Sequence, residues 1–82
     1  MENNNMEVGR QPLDEIMQKL NISNDDLVKA STEQLTHKMV HKGRKGRSLT
    51  LNIQTKILNA LNAVKQDSGF SLGELFNYKG KE

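Results

Sequence analysis

Residues 22–42, ISNDDLVKASTEQLTHKMVHK, decide the fold class of this chain. Ser23 offers a side-chain acceptor to the free N–H groups of a helix, and Asp26 stands three residues on, in the place of a capping-box carboxylate. Ile22 and Leu27 occupy the flanking positions of a hydrophobic staple, and Asp25 with Asp26 suits the positive end of a helix dipole. The spacing predicts a short helix ending near Ala30. Ser31 with Gln34 repeats the capping pattern almost at once, so a tight turn is expected before the next helix. At 100° per residue that third helix carries Leu35, Met39 and Gly43 in one sector, flanked by Thr36 and Val40. Gln34, His37, Lys38, His41 and Lys45 fall opposite. It has a narrow apolar back and a polar, basic front.

Outward from this pair the pattern stays helical. Pro12 suits a first helical position, and Leu13, Ile16, Met17 and Leu20 follow at i, i+3, i+4 and i+7. Gly43 and Gly46 end the third helix within GRKG. A fourth helix starts near Ser48 or Thr50 and keeps the 3.6 period through Ile53, Ile57, Ala60, Leu61 and Val64. After KQDSG, Ser71 caps a last short helix bearing Leu72, Leu75 and Phe76. No segment alternates in the manner of a strand. The fold class is therefore all-α: a compact bundle of about five short helices over residues 12–78, containing a helix-turn-helix. Residues 1–11, Asn-rich and without periodicity, read as a disordered arm, and 79–82 as a solvated tail.

Bulk composition narrows the function. At 82 residues the chain is one small domain with a modest core. It has no cysteine and no Trp, which removes disulfides, thiolate catalysis and Cys-based zinc sites. Without an apolar leader or a spanning run, it reads as cytoplasmic. Charge is asymmetric: residues 1–34 hold seven acids against three bases, whereas 35–56 hold six bases and no acid. Such a segment is the electrostatic footprint of a polyanion partner. A duplex major groove admits one α-helix, and cations around that helix neutralise phosphates. Two short helices joined by a turn, the second basic in front, suit that task.

ISNDDLVKAS (22–31), KGRKGRSLTLNIQTKILNALN (42–62) and FSLGELF (70–76) together resemble the lambda-repressor-like helix-turn-helix family of phage Cro and repressor proteins. The matching positions are Leu27; Lys45, Gly46 and Arg47; Leu49, Ile57, Ala60 and Leu61; then Ser71, Leu72, Glu74, Leu75 and Phe76. The resemblance spans residues 13 to 77 and implies a five-helix domain that binds double-stranded DNA as a small transcriptional regulator. This sequence departs from the pattern at Val28, at the turn Ser31-Thr32-Glu33 and at Arg44. On this reading the recognition helix runs from about Thr32 to Lys42. Gln34, His37, Lys38 and His41 are the candidate base contacts. Lys42, Arg44, Lys45 and Arg47 are the candidate phosphate contacts, which position without specifying.

The same residues admit other readings. Glu33, His37 and His41 share a helical face, but Lys38 stands where a zinc hydrolase needs a glutamate, and the surrounding bases oppose a metal cation. No metal and no cofactor is expected. No nucleophile has a neighbouring base and orienter, so an enzyme is not expected either. Phe70, Phe76 and Tyr78 read as a core plug, with a homodimer interface as the sharper alternative. An antitoxin-like or adaptor module binding a protein partner through the acidic half, and a structured-RNA binder using the basic face, are the competing functions.

Overall fold

The computed structural model describes residues 9–78 and residue 80. Within these, five helices follow one another: α1 (Pro12–Lys19), α2 (Asn24–Ala30), α3 (His37–Lys45), α4 (Leu51–Val64) and α5 (Leu72–Leu75). The regular structure of the described residues is all-α, as the periodicity requires. None of these helices is long and apolar enough to cross a membrane.

Local chemistry accounts for most boundaries. Pro12 opens α1, where its missing N–H is no loss. The expected box closes at α2: the Asp26 N–H donates to Ser23 Oγ and the Ser23 N–H to the Asp26 carboxylate. Thr50 caps α4 by accepting from the Ile53 N–H. At α5 the Ser71 N–H donates to Glu74. Each cap gives a partner to an otherwise unpaired helix-end donor.

α4 is the spine. Ile57 and Leu61 are fully buried and Ala60 nearly so, facing Leu13 and Met17 of α1, Leu27 of α2, Val40 of α3 and Leu75 of α5 in one core. Phe76 joins this core and meets Tyr78 edge-on, with ring centroids 5.9 Å apart. Asn62 ties the 65–71 connection down, since its side-chain amide exchanges hydrogen bonds with both backbone groups of Phe70.

Two expectations need correction. The polar arm falls outside the described residues over 1–8, but its last residue, Gln11, is only 1% exposed. Its side-chain oxygen accepts from the Asn77 N–H and its amide donates to the Gly9 carbonyl, joining the two ends of the domain. Gln11 thus belongs to the folded domain. The second correction concerns α3, which starts at His37 instead of near Thr32. The anticipated Ser31–Gln34 box does not form. Ser31 Oγ accepts from the Glu33 N–H, Gln34 sits in the left-handed region at φ 58°, and Thr36 caps the helix by accepting from the Met39 N–H. Leu35, 5% exposed, leaves this loop to enter the core. Residues 31–36 form a longer connection than the expected tight turn.

Candidate nucleic-acid interface

Helix α3 is fastened on three sides. Val40 is fully buried, and Gly43 lies so close to Leu49, Ile57 and Leu13 that a Cβ would press on the Leu49 side chain at 3.0 Å. Gly46 ends the helix at φ 95°, and the following Arg47 N–H donates back to the Lys42 carbonyl, a left-handed C-cap. A side chain at Gly46 would run into the Gly9 backbone, so only glycine lets the N-terminal segment pass.

The third fastening is ionic. The Arg44 Nε donates to the Asp14 carboxylate at 2.7 Å, and its Nη1 donates to the Asn24 side-chain oxygen at 2.8 Å. Asp14 also accepts from Gln18 at 2.9 Å and pairs with Arg10 at 3.4 Å. Arg44 therefore joins α3 to α1 and α2. The Arg44 guanidinium, which the sequence offers as a phosphate contact, is thus already paired with a carboxylate that is 7% exposed. His37, in the first turn of α3, is likewise engaged. Its Nε2 lies 3.0 Å from an Asp25 oxygen of α2, while Lys29 holds the other oxygen at 3.0 Å. The Asp25 carboxyl is held below its ordinary range by the hydrogen bond from Lys29 first and that from His37 second. Gln34 is exposed but belongs to the loop, which corrects its placement on the front of the helix.

What remains on the outer face is Lys38, His41, Lys42 and Lys45, spaced i, i+3, i+4 and i+7, all exposed. This spacing makes one stripe of a helix. Arg47 follows directly. Among the described residues these five side chains line a surface cleft of about 440 Å³, and none of its described lining residues is a carboxylate. None of the five has an ion-pair partner among the described residues. Lys38, Lys42 and Arg47 also edge a neighbouring cleft with Met39, Leu49, Thr50 and Ile53, which carries the cationic face up to the start of α4.

The segment after α3 is held by a residue that sequence reasoning did not assign there. The Leu49 N–H donates to the Tyr78 hydroxyl at 2.8 Å, and that hydroxyl donates to the Arg47 carbonyl at 3.3 Å. Nothing local in the sequence signals a contact between residues so far apart. Glu33, His37 and His41 do not converge: Glu33 accepts from Asn59, and no group of three potential metal ligands occurs among the described residues. Comparison with known protein families, with characterised proteins and with solved structures finds no match to this chain.

Proposed function

We propose that the protein binds double-stranded DNA in a sequence-specific manner through the outer face of α3, as a small transcriptional regulator. The observation that carries this reading is the stripe Lys38–His41–Lys42–Lys45 with Arg47 lining one cleft that no carboxylate enters among the described residues. A solvated charged face usually interleaves both signs, whereas this one concentrates one sign on a helix of groove-fitting width. The resemblance to lambda-repressor-like domains supports the same assignment, although the longer 31–36 connection changes how α3 follows α2. On this reading Lys38 and His41 reach base edges, while Lys42, Lys45 and Arg47 grip phosphates. Gln34 stands at the helix approach, beside the duplex.

Fluorescence anisotropy on random and library-selected duplexes tests it. Three phosphate contacts imply a log–log salt slope of about −2.7, at roughly 0.9 per phosphate. Arg47→Ala should weaken selected and random duplexes alike and reduce the slope by about 0.9. Lys38→Ala should cost about 1–3 kcal/mol on the selected site and less on random DNA. Binding that ignores salt, or no binding at low salt, contradicts the proposal.

A further inference from the structure

The two histidines of α3 share a residue type and one helix, yet their surroundings differ in kind. His37 already has a carboxylate, Asp25, at 3.0 Å. His41 has none to itself among the described residues. It borders two clefts, the cationic one with Lys38, Lys42, Lys45 and Arg47, and a second, about 450 Å³, with Arg10, Asp14, Gln18, Arg44 and Lys45. From α3 it therefore faces Lys38, Lys42, Lys45 and Arg44, and from the α1 side Arg10, Asp14 and Gln18; Arg47 closes the ring. The one carboxylate in this set is Asp14. Its oxygens are committed to Arg44 at 2.7 Å, Gln18 at 2.9 Å and Arg10 at 3.4 Å.

We infer that His41 couples DNA binding to proton uptake, so that a polyanion lying on the α3 face favours a fifth cation there. The inference rests on the DNA-binding reading above. Among the described residues, the groups bordering both clefts at position 41 are cations, Gln18 and Asp14, and Asp14 is already paired. Against a duplex, phosphate oxygens and guanine acceptors supply a counter-charge, and a hydrogen bond from a charged donor is the stronger kind. Linkage fixes the sign. If the complex favours the protonated form, affinity must rise as pH falls through the range in which imidazole titrates, between about pH 8 and pH 5. His37 contributes little of this, because Asp25 offers it a counter-charge in free and bound protein alike.

The test is the dissociation constant for one duplex at fixed ionic strength, measured from about pH 8.5 to about pH 5.5. Wild type, His41→Gln and His37→Gln are compared. The wild type should tighten by about tenfold toward acid, the equivalent of one unit of differential protonation. Its salt slope should steepen over the same range, because one more cation then faces the duplex. His41→Gln should lose both effects and His37→Gln should keep both. A flat wild-type profile, a His41→Gln profile as steep as the wild type, or loss of the effect in His37→Gln overturns the inference while leaving DNA binding standing. Absence of duplex binding at every pH in low salt overturns the DNA-binding reading, and this inference with it.

Discussion

Asp14→Ala is the most informative single substitution in this domain, because Asp14 is where three helices are tied. Its carboxylate is 7% exposed and accepts from Arg44 and Gln18 while pairing with Arg10. Removing one partner of a buried pair costs about 3–5 kcal/mol, mostly through the uncompensated charge left behind. Here the stranded group is Arg44, whose side chain is 21% exposed and which keeps its bond to Asn24. Partial access to water lowers the expected loss to about 2–3 kcal/mol. A domain of this length has a total stability of about 4–12 kcal/mol, so the variant should lose a substantial part of it. Urea unfolding followed by far-ultraviolet circular dichroism reads the loss as a lower midpoint at unchanged m-value. A loss below about 0.5 kcal/mol, typical of a surface change, would mean that Arg44 is not dependent on Asp14. Asp14→Leu with Arg44→Met removes both charges and should be less harmful than Asp14→Ala alone.

The same pair separates structural cations from contact cations. Arg44→Met should leave the salt slope of DNA binding within error of the wild type, whereas Lys45→Ala should lower it by about 0.9. Equal reductions in the two variants would show that Arg44 leaves Asp14 to meet phosphate.

Leu61→Asp places a charge at a fully buried position of α4 and should cost several kcal/mol, seen as loss of the cooperative thermal transition. Gly46→Ala meets a left-handed φ of 95° and the Gly9 backbone, so a loss of at least about 1 kcal/mol is expected; an unchanged urea midpoint would show that the N-terminal segment can lift away. Asp25, held below the ordinary carboxylate range by Lys29 and His37, stabilises the fold above its unfolded value and loses that contribution as pH falls through the depressed one. Asp25→Asn should therefore flatten the melting temperature against pH below about pH 4, and a variant with the wild-type acid profile would assign the effect elsewhere.

Elements whose signals are local were legible. The Ser23–Asp26 box, Pro12 at the first position of α1 and the period of α4 each depend on residues within a turn or two. The apolar stripes followed, since Leu13, Met17, Leu27, Ile57, Leu61 and Leu75 are all fully buried. The start of α3 was not legible, because two hydroxyl residues compete for the cap. Ser31 satisfies its own loop and Thr36 takes the helix, a choice decided by Leu35 needing to reach the core and by Glu33 reaching Asn59 of α4. The division among the basic residues was hidden for a similar reason. Arg44 differs from Lys45 only by its partners, Asp14 and Asn24, which lie 30 and 20 residues away.

That division explains how a face with so many like charges is compatible with a folded helix. Of the cations in 37–47, Arg44 is neutralised inside the domain and His37 stands against Asp25. Lys42 and Lys45 occupy the last turn of α3, where the negative end of the helix dipole favours positive charge. Lys38 is the exception, a cation in a first turn that contains no acid, and there the dipole opposes it. Its position is the one in the stripe that intrinsic helix electrostatics does not favour. A phosphate or guanine acceptor facing the first turn would reverse that balance by meeting both the lysine and the exposed end of the dipole. Lys38 is therefore the residue at which the duplex would relieve an unfavourable arrangement, while Lys42, Lys45 and Arg47 add attraction to an already stable helix end. The cost of Lys38→Ala to DNA affinity should accordingly come with a small gain in fold stability, a few tenths of a kcal/mol. Lys45→Ala should weaken both. If Lys38→Ala destabilised the fold as much as Lys45→Ala, the dipole would not be what distinguishes the two ends of the stripe.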